Sequence, residues 1–359
     1  MNLRLGRFGK QEATAAVGLA ALISGTFSLN VGDTFAQGNV SYAATAAGVL
    51  LAILLLKLLG GAVARLEAED LSDLLTRGLG PILALPLVLG LVLSAALPLF
   101  RFTLAMERYI FVEAAYEPIV LYLLPVLLLM VLCGMECVAR MAKLLAVPGG
   151  LALIVTLLLA SPAFDAGHLF PLFSPGFSAF LGQTAEALFR FLPPGIALLA
   201  AGRGCQGRRN AVNSVGRGLA LGGLGAVFMH LGLGLTFFGP DMASLTAPVY
   251  CMTMAARQER LGLRLDVLVL FLWVMTGLVV AAFYTYAAAL LLCRVTGMED
   301  VRPVGALLVL GALGMVLLFN FDSDAILSFV RLIYRQGYLL FLIPLGLILA
   351  RALLQRRAR

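Results

Sequence analysis

The sequence predicts an all-α integral membrane protein with about ten transmembrane helices, and three observations support this fold class. Hydrophobic residues make up 61% of the 359 residues, and the mean hydropathy is +1.00. Only 13% of the residues are charged, whereas an average soluble domain has roughly 25%. The apolar runs lack the period-two alternation of transmembrane barrel strands. The composition excludes disordered, nuclear and cytosolic proteins and predicts one polytopic membrane domain over residues 1–359.

Each predicted helix is an apolar run close to the length of about 20 residues that crosses a bilayer. The runs lie near residues 12–31, 41–60, 79–105, 117–138, 149–164, 178–201, 212–238, 264–292, 303–320 and 325–352. They divide into two halves of five helices, at about 8–164 and 170–352. The connection 62–77 has apolar residues at helical spacing and an opposite charged face, which predicts a short amphipathic helix at the membrane surface.

The distribution of basic residues predicts the orientation of the chain. The net charge is +7, and most of the 26 Lys and Arg residues fall on one set of helix ends if the N-terminus is cytoplasmic. Cytoplasmic connections carry an excess of Lys and Arg. We therefore expect a multi-pass protein of the cell membrane with both termini in the cytoplasm.

Two predicted helices carry interruptions at matching positions of the two halves. Ser24-Gly25-Thr26 falls in the middle of the first run, and Phe191-Leu192-Pro193-Pro194-Gly195 falls in the sixth. Their separation of 168 residues (193 − 25) is close to half of the 359-residue chain. Gly weakens a helix by about 1 kcal/mol, and Pro removes a backbone donor. Paired broken helices of this kind indicate a midplane binding site; two ordinary kinks are the alternative, since Gly and Pro are common in membrane helices.

Several stretches of the sequence resemble one family in their order and spacing. They are Gly134-Met135-Glu136 with Ala139-Arg140, Phe170-Pro171-Leu172-Phe173 with Gly176, and Phe238-Gly239, Pro248, Glu259-Arg260, Asp266 and Trp273. Together they resemble the GerAB-type spore germination family, the B subunits of germinant receptors, within the amino acid–polyamine–organocation superfamily. The resemblance implies a LeuT-like fold of two inverted five-helix repeats with helices 1 and 6 broken. It also implies a location in the spore inner membrane, with other receptor subunits as partners.

The candidate site residues follow from the interruptions and from charges near them. The predicted ligand-binding residues are Ser24, Gly25, Thr26, Phe191, Pro193, Pro194 and, because span eight flanks the site in the resembled fold, Thr276. Arg101, Glu107, Glu186 and Arg190 are predicted to line a vestibule or water path, because charges within a membrane face water or a partner. Glu186 and Arg190 are four residues apart, so a structural ion pair is the alternative. His230 is either a proton relay or a hydrogen-bonded core residue.

The resemblance implies a germinant-sensing, permease-like subunit that binds a small nutrient such as an amino acid. A proton-coupled amino acid transporter and a structural scaffold subunit of a receptor complex are the alternatives. No catalytic motif, nucleotide loop or cysteine–histidine metal pattern is recognisable in the sequence. We therefore expect neither an enzyme nor a resident cofactor or metal, and no nucleic-acid partner.

Overall fold

The structure, a computed structural model, is all-helical, in that every regular element among the residues that it describes is a helix. The described residues are 6–27, 40–76, 80–111, 115–170, 176–205, 207–237, 241, 245, 248–255, 265–321 and 337–357. The helices are α1 Lys10–Thr26, α2 Ser41–Arg65, α3 Leu71–Leu74, α4 Gly80–Tyr109, α5 Tyr116–Cys133, α6 Met135–Ala160, α7 Gly176–Ala200, α8 Arg208–Thr236, α9 Pro248–Ala255, α10 Leu265–Thr296, α11 Val301–Phe321 and α12 Ile343–Arg357. A π-helical turn, Tyr338–Leu342, leads into α12.

Seven of these helices are long and apolar enough to cross a membrane, namely α2, α4, α5, α6, α8, α10 and α11. They make the chain a multi-pass membrane protein. Three further helices, α1, α7 and α12, overlap the predicted first, sixth and tenth spans. Of the tenth span, residues 325–336 lie outside the described part of the chain.

Four helices form one packed group: α1, α2, α7 and α8. Within this group α1 packs along α8, while α2 packs on both α7 and α8. Glycines permit the close approach of α1 and α8, because a Cβ atom on Gly222 would collide with the backbone carbonyl of Gly18. Such small residues at helix crossings are typical of membrane proteins.

A second group contains α4, α5, α10 and α11, with α10 at its centre. The helix α10 packs on α4, α5 and α11, and α6 joins it to α1. The side chains of Trp273, Phe283 and Tyr284 on α10 are fully buried. The first group and the second meet where α1 and α7 face α4 and α10.

The boundary between the fourth and fifth spans differs from the prediction. The chain reverses at Gly134, whose φ of +91° is a conformation that favours glycine. Glu136 and Arg140 therefore belong to the first turns of α6, whereas the predicted fourth run extended to residue 138. The predicted run 149–164 was too short because Arg140, Lys143 and Pro148 interrupt the apolar pattern without interrupting the helix.

The two predicted interruptions have different outcomes. The helix α7 runs without a break from Gly176 to Ala200, so the unwound segment predicted at Pro193 and Pro194 is wrong. Neighbouring helices bury every residue from Ala187 to Ala200, and such packing allows proline inside membrane helices. The helix α1 ends at Thr26, which moves Ser24-Gly25-Thr26 from the middle of a span to a helix end.

The predicted amphipathic helix 62–77 is only partly correct. The spanning helix α2 continues to Arg65, and only the single turn of α3 is helical beyond it. Asp70 caps this turn by accepting a hydrogen bond of 2.8 Å from the backbone N–H of Asp73. A side-chain cap of this kind favours a helix start, but four residues make no amphipathic face.

Candidate functional site

A small cavity lies inside the membrane domain between α1, α4, α7 and the π turn before α12. Its volume is about 30 Å³, which is room for one or two water molecules. The lining residues are Ser24, Gly90, Leu93, Ser94, Leu97, Pro98, Phe189, Arg190, Gly337, Leu340 and Phe341. The cavity therefore brings together the predicted residues Ser24 and Arg190, which are 166 positions apart (190 − 24) in the sequence.

The charge at this cavity comes from Arg190. Its side chain is only 2% exposed, and Nη2 lies 3.3 Å from Oε2 of Glu186, one helical turn earlier on α7. Glu186 is 21% exposed and so retains some access to solvent. A buried ion is costly unless it is paired, and the carboxylate of Glu186 compensates the guanidinium in this arrangement.

Three prolines change the hydrogen bonding of the cavity wall. Proline has no N–H to donate to the carbonyl four residues earlier. Pro193 and Pro194 therefore withhold the helical hydrogen bond from the carbonyls of Phe189 and Arg190, and Pro98 withholds it from that of Ser94. Ser94, Phe189 and Arg190 all line the cavity. The prolines of α7 therefore leave it helical while they remove N–H donors beside the cavity.

Two phenylalanines close the cavity against glycines. A Cβ on Gly337 would lie 2.9 Å from the ring of Phe189, and one on Gly90 would collide with the ring of Phe341. Phe341 belongs to the π turn, and π turns inside helices are frequent at functional sites. Rotation of either ring would enlarge the cavity, whereas a side chain at either glycine would be excluded.

Side chains from other helices form hydrogen bonds with groups at the C-terminal end of α1. His230 on α8 bonds through Nε2 to the carbonyl oxygen of Gly25 at 2.9 Å and through Nδ1 to the hydroxyl of Thr45 at 3.1 Å. Because a carbonyl only accepts, Nε2 carries the proton and Nδ1 accepts from Thr45. Ser24 Oγ and Tyr284 Oη lie 2.7 Å apart. These contacts support the core-residue reading of His230.

Several predicted ligand-binding residues lie near the cavity without lining it. Phe191 is fully buried and packs against Gly25, since a Cβ on Gly25 would lie 2.9 Å from its ring. The hydroxyl of Thr26 donates to the carbonyl of Leu22 at 2.7 Å. Pro193 and Pro194 are buried within α7, four residues after the cavity-lining Phe189 and Arg190.

Thr276 and two of the predicted vestibule charges lie elsewhere. The hydroxyl of Thr276 donates to the carbonyl of Trp273 at 2.8 Å, and its methyl group faces Gly149 on α6. The structure does not bring Thr276 to this cavity. Arg101 and Glu107 are half-buried in the second half of α4, beyond the segment of that helix that lines the cavity.

Sequence reasoning missed three parts of this region. Ser94 and Pro98 lie inside a long apolar run, and their spacing of four, which pairs a proline with the carbonyl that it releases, was the available signal. Gly337 and Phe341 form a glycine–aromatic contact with neighbours distant in the chain, which no local pattern reveals. The capping role of His230 also depends on tertiary packing.

A separate cluster of charges ties the α2–α3 connection to the end of α7. Arg203 Nε lies 2.5 Å from Oε2 of Glu69 and 3.7 Å from Oδ2 of Asp70. The carboxylate of Asp70 also accepts from the hydroxyl of Ser72 at 2.7 Å. Burial raises the pKa of Asp70 above its ordinary value, although these partners act in the opposite direction. The cluster is outside the cavity and fixes the ends of the packed helices.

Solved transporters share this architecture. A Na⁺-coupled sialic acid symporter aligns over 95% of this chain and 79% of its own, with 10% identity and a TM-score of 0.67. MHP1, a nucleobase-cation-symport-1 family transporter, aligns over 100% and 81%, with 15% identity and a TM-score of 0.66. A variant of the Eremococcus coleocola manganese transporter aligns over 96% and 76%, with 19% identity and a TM-score of 0.60. These likenesses confirm the all-helical, LeuT-like fold class.

The sequence itself matches one protein family. No curated protein sequence matches the chain. The sequence profile of the spore permease family, described as spore germination protein, matches residues 43–324. That range contains the α4 and α7 walls of the cavity, and it agrees with the resemblance seen in the sequence. The chain is a permease-like membrane protein that belongs to the spore germination protein family.

Proposed function

We propose that this protein is the germinant-sensing, permease-like subunit of a spore germinant receptor and that it binds a small zwitterion such as an amino acid. The observation that carries the proposal is the buried Arg190 at an enclosed cavity within the membrane domain. A fixed guanidinium binds a carboxylate through two parallel hydrogen bonds. Family membership supports the link to germination.

The chemistry around Arg190 fits both ends of a zwitterion. The guanidinium takes the carboxylate, and the ammonium group has the backbone carbonyls of Ser94 and Phe189, which lack a helical N–H donor, at the cavity wall. The hydroxyl of Ser24 offers a further hydrogen bond. A volume of about 30 Å³ does not hold an amino acid, so binding requires displacement of Phe189 or Phe341. The ligand then shifts the protein between closed and expanded states by its different affinity for them.

The finer features of the fold belong to the same proposal. We propose ten spans in two inverted repeats of five helices, with both termini in the cytoplasm of the spore inner membrane. The packing pattern supports the repeat, because α1 packs on α8 as α7 packs on α2, and α4 packs on α11 as α10 packs on α5. In this proposal the helix end at Thr26 is the interruption of span one, whereas span six carries Pro193 and Pro194 within a continuous helix.

The proposal is tested by binding of amino acids to the purified protein. We expect saturable binding of at least one amino acid to the native protein. Arg190→Gln removes the contact to the ligand carboxylate and should weaken the affinity roughly 10- to 100-fold, in line with the strength of charge-assisted hydrogen bonds. Arg140→Gln is the matched control, since it breaks a Glu–Arg pair of the same spacing that is exposed on α6. Equal affinity in the two variants, or no saturable binding to any amino acid, would contradict the proposal.

The same preparation separates sensing from the two alternatives. Uptake into proteoliposomes that depends on a pH gradient would establish a proton-coupled transporter. A receptor complex that assembles and responds to germinant when Arg190→Gln is present would instead favour a scaffold role. The receptor proposal expects binding without uptake, and loss of the germination response at normal membrane abundance.

A further inference from the structure

A large groove runs along the outer surface of α1, α6 and α8, on a different face of these helices from the cavity. Its volume is about 800 Å³, and it shares no lining residue with the cavity. Leu221 beside it is 67% exposed. Its lining residues lie between Lys10 and Leu22 on α1, between Ala146 and Leu153 on α6, and between Arg217 and Gly225 on α8.

The groove is polar at one end and apolar along the rest of its length. Lys10, Gln11 and Thr14 in the first turns of α1 and Arg217 in α8 form the polar end. Arg217 is exposed, and Lys10 is half-buried. Both charges are positive, and the rest of the lining is aliphatic or glycine. An amphiphile with an anionic head and a hydrocarbon tail has the complementary distribution.

The length of the groove matches one leaflet of a bilayer. Lys10 and Leu22 are 12 positions apart on α1 (22 − 10), which is a rise of about 18 Å. The hydrocarbon core of a bilayer is about 30 Å thick, so one leaflet contributes about 15 Å. A transmembrane helix of a partner would need an apolar track twice as long. The dimensions therefore favour a lipid tail over a spanning helix.

Glycines give the groove its depth. No atom lies within 4 Å of the position that a Cβ on Gly150 would take. Gly18 on α1 also lines the groove, where its close approach to α8 leaves a Cβ only 3.5 Å from the carbonyl oxygen of Gly218. An acyl chain is flexible enough to occupy such a channel without a fixed shape, whereas the charged end fixes its position.

We propose that this groove binds one anionic glycerophospholipid, with its phosphate between Lys10 and Arg217 and an acyl chain beside Gly18 and Gly150. The lipid comes from the leaflet at the N-terminal end of α1. In the proposed orientation this is the cytoplasmic leaflet, whose anionic lipids attract basic groups near the surface. Because Ser24 on the same helix lines the cavity, the bound lipid holds one wall of the candidate site.

The head-group half of the proposal is tested by native mass spectrometry of the full-length protein, titrated with phosphatidylglycerol or phosphatidylcholine. We expect the protein to retain one phosphatidylglycerol more strongly than phosphatidylcholine. Each charge accounts for roughly a fivefold difference, so Lys10→Gln with Arg217→Gln weakens phosphatidylglycerol retention roughly 25-fold. The control is Arg65→Gln with Arg302→Gln, which removes two exposed charges outside the groove. Equal retention in both double variants would overturn the head-group assignment.

The acyl-chain half is tested by filling the groove. Gly150→Phe places a ring in open space along the groove, and Gly311→Phe is the control because its surroundings are equally open but lie on α11. We expect only Gly150→Phe to release the retained lipid. Unchanged lipid retention in Gly150→Phe, or a dimer of the native chain that Gly150→Phe dissociates, would overturn the proposal, the latter by identifying a second copy as the occupant.

Discussion

At the scale of single residues, most buried threonines in the described helices donate to a carbonyl of their own helix, whereas a few buried polar groups have partners on other helices. His230 is the clearest case, since both of its ring nitrogens have partners on other helices. Arg190 is balanced within its own helix by Glu186. The first arrangement fixes a helix end, and the second leaves a charge at a cavity. Only the second has the character of a binding group.

Replacement of His230 tests the capping role. His230→Leu leaves the Gly25 carbonyl and the Thr45 hydroxyl without this partner in a buried setting. Such losses cost about 1–3 kcal/mol each, so we expect a clear decrease in Tm in detergent. His168→Leu is the control, since His168 also bonds a carbonyl, that of Leu235, but its side chain is 32% exposed. A Tm decrease no larger than that of the control would argue against the cap.

Asp70 predicts a pH dependence of stability. Burial raises its pKa in the folded protein above the ordinary value of 3.8, so its contribution to stability is fully present below that value and is lost as the pH rises through the raised pKa. Asp70→Asn removes this titration and keeps an acceptor for the cap. We expect the Tm of the variant to increase relative to the Tm of the native protein as the pH rises from about 4 to 7. A Tm difference that is independent of pH would contradict the raised pKa.

At the scale of helices, hydropathy located the seven long apolar helices, because each span must match the bilayer. Helix ends inside the membrane were less predictable, since they depend on tertiary partners such as His230 at the end of α1. The prolines of α7 were recognised, but their effect was assigned to an unwound segment when packing keeps the helix continuous. Ser24 and Arg190 were predicted from sequence, whereas Phe341 and Gly337 needed the fold to reach the cavity.

The prolines of α7 are expected to favour ligand binding, because they donate no helical hydrogen bond to the carbonyls of Phe189 and Arg190. Pro193→Ala with Pro194→Ala supplies N–H donors to the carbonyls of Phe189 and Arg190, and each change favours the helix by roughly 3 kcal/mol. We expect a more stable protein with weaker binding of amino acids. Thermal unfolding and ligand binding measured on one preparation check both effects. Pro148→Ala in α6 is the control, because Pro148 also lies inside a helix but not at the cavity; equal effects on binding would reject this role.

The start of α1 is fastened to α6 by an ion pair between Glu12 and Lys143 at 2.7 Å. Nearby, the backbone N–H of Phe8 donates to the carbonyl of Gly204 at 3.0 Å. These contacts hold the end of α1 that would have to move if the protein opened on this side. The Glu12 side chain is 19% exposed, so the pair contributes at most about 1 kcal/mol.

Glu12→Gln is therefore expected to increase local opening by up to about fivefold. The buried Cys205, which follows Gly204 directly, reports this opening through its rate of alkylation once the other four cysteines are replaced. Glu299→Gln removes an exposed acidic side chain from the α10–α11 connection and is the control. A Cys205 alkylation rate that is the same in both variants would show that the ion pair does not hold the closed arrangement.

At the scale of the whole molecule, movement between the two helix groups offers a mechanism by which the candidate site could change shape. The cavity lies where α1 and α7 of the first group meet α4 of the second. A relative movement of the groups would change the cavity without unfolding any helix. The groove proposed to bind lipid lies on α1, α6 and α8, so a lipid would bias the same movement from outside.

The proposed orientation makes opposite predictions for the two ends of the molecule. Phe177 lies at the start of α7 and is 70% exposed, and Leu354 lies near the end of α12 and is 66% exposed. With ten spans and cytoplasmic termini, residue 177 faces outward and residue 354 faces the cytoplasm, because five spans, the sixth to the tenth, separate them. In a chain without its native cysteines, Phe177→Cys should react with a membrane-impermeant maleimide on intact cells. Leu354→Cys should react only after permeabilisation, because the basic residues of the terminal segment stay with the cytoplasmic surface. Reversed labelling would invert the topology. Labelling of both positions from outside would mean that an even number of spans separates residues 177 and 354, which would contradict the ten-span arrangement.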